Sequence, residues 1–340
     1  PPSFSMPIYT LNINIALYIF YIITKLWYNK YKGGNNMHIA LTMLNRLMLM
    51  FVLMLIGFVL HKKKLIENDG IKDMGKLLLY VILPAVVIKS YNMDFSINKA
   101  VGLMFSFIAA VMALAISVII SRVCFGKNYP IESFGAAFSN AGFMGIPLVL
   151  SVFGSDAVYY AASFVAILNI LQWTYGVFIM TGRKDSISSR NVILNPILIS
   201  FFVGVCLFLL PFKLPDFLVD SLDSLAALNA PIAMIILGAY LAQTKFKDLF
   251  MHATSYKVCM VRLIIIPAAT LLVLWGLPIG DYELKQTVLI LAAAPIGANV
   301  AVYAQLNGGN YKQAVNEVVL STVMSAVTMP LIIGISDYIL

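Results

Sequence analysis

The few side chains in this chain that could do chemistry gather at two interruptions of otherwise apolar runs. The first is Ser139-Asn140-Ala141-Gly142-Phe143-Met144-Gly145-Ile146-Pro147, inside an apolar segment from about 132 to 153. The second is Ala294-Pro295-Ile296-Gly297-Ala298-Asn299. Gly costs about 1 kcal/mol in a helix interior and Pro about 3, so each stretch predicts a broken helix. Backbone groups freed inside a membrane must be surrounded by protein or line a wet cavity. Pro147 and Pro295 each suit the first position of a new half-helix, where a missing N–H costs nothing. Two half-helix N-termini, each with about half a positive charge, then converge near the midplane and favour a carboxylate or similar anion. No Lys or Arg is near either break in the sequence. The anion's charge therefore falls to backbone N–H groups and helix dipoles, and carbonyls at the opposite half-helix ends could hold a cation.

Asn140 and Asn299 bring donors and acceptors to the breaks, with Ser139 alongside. Two roles stand open for them: contact with substrate, or satisfaction of freed backbone groups. Gly142, Gly145 and Gly297 permit a close crossing, and with Pro147 and Pro295 they complete the candidate substrate-binding set. Asn169, Gln172 and Asn229 are secondary candidates, equally suited to hydrogen bonding between helices. Glu317 lies two turns into the last apolar segment, about 9 Å from Tyr311. It is the candidate for carrying a coupling proton or sodium ion. The alternative is a carboxylate that reaches the cytoplasmic interface. Glu132, Arg46, Lys89 and Arg262 are read as snorkelling from span ends. His38, His61 and His252 are far apart, and there is no His-Glu-x-x-His, Gly-x-Ser-x-Gly or Walker loop. The sequence thus predicts no enzyme, no metal site and no cofactor. Cys124, Cys206 and Cys259 show no paired spacing and read as small buried hydrophobes.

The elements that must position these residues are set by composition. Of 340 residues, 61% are hydrophobic and 11% charged, against about 25% charged in soluble domains. The bilayer is the solvent. Ten apolar segments, near 39–60, 71–91, 99–122, 131–150, 156–180, 191–210, 217–243, 254–276, 283–305 and 311–336, are long enough to cross it as helices. The alternating strands of a barrel are absent. The net charge of +8 is scattered through loops, a pattern of membrane topology and not of nucleic-acid binding. Odd loops carry the excess: Lys62, Lys63, Lys64 and Lys72, then Arg122 and Lys127, then Arg183, Lys184 and Arg190, then Lys245, Lys247 and Lys257, then Lys312. Even loops carry only Lys89 and Lys99, Lys213 and Lys285. Odd loops are therefore expected to be cytoplasmic, with both ends of the core outside the cell membrane. Residues 1–36 hold an apolar run over 8–23 that is short for a span and read as an extension outside the core; an eleventh span is the alternative.

The core reads as two halves, 37–182 and 190–340. An offset of 147 or 148 residues carries Pro84, Pro130 and Pro147 onto Pro231, Pro278 and Pro295, Gly57 onto Gly204, and Thr174 onto Thr322. Each half holds five segments, an odd number, so the second half must be inverted. Inverted repeats with a discontinuous helix in each are a layout of ion-coupled transporters.

Asn140-Ala-Gly-Phe-Met-Gly-Ile-Pro147 resembles the fourth-helix signature of the auxin efflux carrier family, which includes plant auxin exporters and bacterial permeases for malate or malonate. Ala294-Pro-Ile-Gly-Ala-Asn299 with Tyr303-Ala-Gln-Leu-Asn-Gly-Gly309 resembles its ninth helix and exit. Ser321-Thr322 and Met329-Pro330 resemble its tenth-helix ending. The resemblance covers about Met37 to the C-terminus and is of the compact bacterial kind. It implies an all-α membrane fold of ten helices with helices 4 and 9 crossing at their breaks. A crossover domain would move against a scaffold domain, in a homodimer. The expected function is secondary transport of small organic anions by alternating access. A transporter-like sensor that binds a carboxylate without flux is the alternative.

Overall fold

The computed structural model describes residues 37–210, 214–244, 253–306 and 309–340. The N-terminal run over 8–23, Lys213, Lys245, Lys247, His252 and the Asn307-Gly308 pair lie outside the described residues. Among the described residues every named element is helical, and the one β-bridge is isolated. In order the elements are α1 (Met37–Lys62), α2 (Asn68–Leu77), α3 (Leu83–Ser90), α4 (Ile97–Phe125), α5 (Pro130–Ala137), α6 (Ile146–Phe153), α7 (Val158–Leu171), α8 (Val177–Thr181) and α9 (Ser189–Ile193). They continue as α10 (Pro196–Leu209), α11 (Asp216–Ala227), α12 (Asn229–Gln243), α13 (Ala253–Met260), α14 (Ile266–Gly276), α15 (Tyr282–Ala293), α16 (Asn299–Leu306) and α17 (Tyr311–Ser336).

Helices occupy all ten apolar segments. Among the described residues, six stretches are continuous, long and apolar enough to cross a membrane alone: Thr42–Lys62, Ile97–Phe125, Val158–Thr181, Asp216–Gln243, Ala253–Gly276 and Tyr311–Ser336. The chain is an all-helical membrane protein. The remaining segments are bent, short or split, and the two split ones carry the breaks.

Local chemistry sets the ends. Ser96 caps α4 by accepting from the Lys99 N–H at 3.2 Å, and Asn195 Oδ1 caps α10 at 2.9 Å with Pro196 in its first turn. Three prolines inside longer helical runs share one device. Pro84, Pro147 and Pro267 each follow, by two residues, a wide π-turn: Leu78–Ile82, Ala141–Gly145 and Val261–Ile265. A proline ring clashes with the carbonyl four residues back and offers it no N–H. The wider turn shifts that carbonyl aside, so the helix bends without ending.

Two helix pairs are in intimate contact. A Cβ on Gly57 of α1 would lie 2.2 Å from the Ile235 carbonyl oxygen of α12, and one on Gly238 would lie 1.9 Å from that of Met54. The α1 and α12 backbones therefore touch, as small residues permit in lipid-embedded bundles. α3 packs on α10, where Gly204 leaves room for the Tyr91 ring. α1 packs on α12 and also on α17, α3 packs on α10 and α11, and α4, α5, α7, α13, α14, α15 and α17 pack largely among themselves.

Candidate functional site

The two interruptions meet. The Asn140 N–H donates to the Pro295 carbonyl at 2.7 Å, and the Gly297 N–H donates to the Phe138 carbonyl at 3.0 Å. These bonds make a one-rung antiparallel bridge between Ser139 and Ile296. Each break thus satisfies part of the other's freed backbone, which is what a membrane interior demands. The Ile296 N–H is taken by Ser321 Oγ of α17 at 3.1 Å. Gly297 has a steric reason: a Cβ there would lie 3.0 Å from the Ser139 carbonyl oxygen. Gly145 packs on the other broken helix, where a Cβ would come within 2.7 Å of Leu291 Cδ2 of α15.

The restart points differ from the sequence reading. Pro147 does not open the second half of the first broken helix. That half begins at Ala141, and Pro147 rides in it behind the π-turn. Pro295 lies within the second break, and α16 starts at Asn299. The offset that superposes the prolines therefore does not superpose the breaks.

Ser139, Asn140, Gly142, Asn169, Gln172, Gly297 and Asn299 line one cavity at the crossing, with room for about one water. Gly145 and Pro295 are buried but do not line it; Pro147 and Asn229 line a larger cavity beside the Lys89–Asp223 ion pair of 2.6 Å. Ser139 Oγ and Asn140 Nδ2 are buried with no hydrogen-bond partner. The other amides are engaged. Asn299 Nδ2 donates to Gln172 Oε1 at 3.0 Å, Asn169 Nδ2 to the Val165 carbonyl of its own helix, and Asn229 Nδ2 to the Gly142 carbonyl at 3.2 Å. Asn229 thus joins α12 to the first break.

Two corrections concern charge. Glu132 does not snorkel: it is buried on α5, and Gln313 Nε2 donates both to its Oε1 at 2.7 Å and to Glu317 Oε1 at 3.2 Å. Glu317 is wholly buried, and its Oε2 has no partner. Arg262 does not snorkel either, and it is a cation at the breaks where the sequence suggested none. It is 1% exposed. Its Nη1 donates to the carbonyls of Ala136 at 3.0 Å and Ala137 at 3.4 Å, and its Nη2 donates to that of Ala292. A signal was present in the sequence: Arg262 stands five residues beyond Lys257, the last lysine counted with the seventh loop, and so lies deeper than the loop cations. Gln313, also in the site, is an ordinary polar residue of α17 and carries no such signal; Ser321 entered only through the tenth-helix resemblance.

A family model described as "Membrane transport protein" matches residues 42–192 and 186–333. A protein of Rhizobium meliloti (strain 1021) named "Putative malonate transporter" is 26% identical over 300 residues, which cover 82% of this chain and 91% of that one. An "Uncharacterized transporter" of Methanothermobacter thermautotrophicus is 25% identical over 289 residues, covering 82% and 94%. One from Methanocaldococcus jannaschii is 21% identical over 299 residues, covering 84% and 96%. With the family match running through both broken helices, the chain belongs to the membrane transport protein family, that of the auxin efflux carriers.

Proposed function

We propose that the protein is a secondary transporter that moves small organic anions, carboxylates of the malonate, malate or auxin kind, by alternating access at the crossing. The observation that carries this reading is the pair of buried, unpartnered donors, Ser139 Oγ and Asn140 Nδ2, beside the start of a half-helix. A carboxylate accepts hydrogen bonds on both oxygens and would satisfy them. The two half-helix starts together offer about one positive charge, which one carboxylate matches. The name of the Rhizobium relative supports a dicarboxylate as the first probe. The experiment is a thermal-stability screen of purified protein with malonate, malate and indole-3-acetate, then liposome flux with those that bind. A carboxylate at a hundred times its Kd stabilises by about 2.7 kcal/mol. Absence of both stabilisation and flux for all three would reject the reading. Binding without flux would make the protein a sensor.

The architecture we infer is ten spans in two inverted halves, 37–182 and 190–340. Reciprocal packing supports it: the first helix of one half lies on the second of the other, in both directions, as α1 on α12 and α3 on α10. α1, α3 and α10–α12 would form the scaffold, and the group holding the breaks would move against it. A homodimer in the cell membrane is what the family resemblance implies. The lysine-rich odd loops place themselves in the cytoplasm and both ends of the core outside. With the native cysteines removed, Lys63→Cys and Arg183→Cys should react with an impermeant reagent only in broken cells; labelling of intact cells overturns this orientation.

Glu317, joined to Glu132 through Gln313, is the candidate coupling site for a proton or sodium ion. A buried carboxylate with an unpartnered oxygen in a membrane protein suits that task. Glu317→Gln should abolish stimulation of uptake by a proton or sodium gradient while substrate exchange persists. Unchanged stimulation by both gradients assigns Glu317 to packing.

A further inference from the structure

We propose that Arg262 is the resident cation of the crossing: a positioning residue whose guanidinium occupies a cation site formed by the C-terminal ends of both broken helices. Its donors go to the ends of two helices. Ala136 and Ala137 are the last two residues of α5, and Ala292 is the penultimate residue of α15. The carbonyls at a helix end have no partner within the helix. One planar fork reaches both ends at once, which a guanidinium can do and a single ammonium point charge cannot match.

Charge makes this more than a hydrogen-bonded clip. A helix C-terminus carries about half a negative charge. Two of them, brought together by the crossing, make about one negative charge in a membrane interior. Arg262 supplies one positive charge, and no carboxylate ion-pairs with it among the described residues. A neutral serine or asparagine could satisfy carbonyls without the heavy desolvation cost of a buried ion. The cation is placed where the charge is needed. In transporters with broken helices, half-helix C-termini commonly coordinate the coupling cation. Here the chain fills that position itself. Arg262 is aimed there from the π-turn Val261–Ile265, one of the wide turns that precede a proline. The fixed cation on one side of the crossing leaves the opposite side, at Ser139 and Asn140, with its positive half-helix starts unopposed.

The proposal rests on the crossing being the transport site, and its test has an arm that does not. Purified Arg262→Ala is emptied of the guanidinium. Methylguanidinium at 10 mM should then raise its Tm by several degrees and restore carboxylate flux in liposomes, with no effect on the parent. Arg262→Lys, which keeps the charge, should fold and retain at least a tenth of parental flux, whereas Arg262→Gln should fall well below that. The proposal is overturned if Arg262→Ala matches the parent with nothing added, or if neither methylguanidinium nor sodium nor potassium moves its Tm. It is overturned too if folded lysine and glutamine variants are equally inactive, which also decides the matter should the alanine variant fail to fold. Cation-dependent Tm without carboxylate flux in the parent would retain the cation site and reject the transport reading.

Discussion

Asn140→Ala is expected to weaken carboxylate binding roughly ten- to hundredfold in purified, folded protein. The reason lies in the Asn140 amide, buried and with its Nδ2 unpartnered at the bridge between the two breaks. A hydrogen bond to a charged group contributes about 1.5–3 kcal/mol, and each 1.4 kcal/mol is tenfold in affinity. The backbone of Asn140 keeps its bond to Pro295 in the alanine variant, so the crossing should stay assembled and the loss should be in binding. Asn299→Ala should cost less, because that amide is already committed to Gln172. Titration calorimetry with malonate checks both. Equal affinity of Asn140→Ala and the parent would make the amide structural.

Gly145→Leu is expected to abolish flux while leaving the protein in the membrane. Gly145 lies where the second half of the first broken helix meets α15, and even a Cβ would press on the Leu291 side chain at 2.7 Å. That atom is the far end of a flexible side chain, so Gly145→Ala can be absorbed and should retain much of the activity. A leucine cannot be absorbed; overpacking of this kind costs about 1–3 kcal/mol and drives the two broken helices apart. Liposome flux with both variants, at matched amounts of monodisperse protein, reads the difference. Parental flux in Gly145→Leu would show that the close approach is not needed for transport.

Much of this site was legible in the residues. Glycines and prolines inside apolar runs marked both breaks, and the apolar pattern placed helices on all ten segments. The crossing of the two breaks came from the family resemblance, whereas the residues alone asked only that freed backbone be surrounded by protein or a wet cavity. The restart points were not legible. Pro147 reads as a helix start by its chemistry, but a π-turn lets a helix carry a proline in its interior, and nothing in Ala141–Gly145 announces such a turn. The repeat offset failed at the breaks for the same reason, since it was anchored on prolines that do different work in the two halves. Arg262 and Glu132 read as snorkelling because distance along the chain sets both near span ends. Burial is decided by the neighbouring helices: α17 covers Glu132 through Gln313, and the ends of α5 and α15 take the Arg262 guanidinium. The pairing of Asn299 with Gln172 joins residues 127 apart, which one sequence cannot reveal.

The anion is proposed to sit where the two broken helices cross. Backbone hydrogen exchange on purified protein with and without saturating malonate tests it most directly, because half-helix starts that bind a carboxylate must lose exchange with solvent. Added protection is expected at 139–145 and 297–301 together. Protection by bound malonate confined to other helices, with both breaks unchanged, would contradict it.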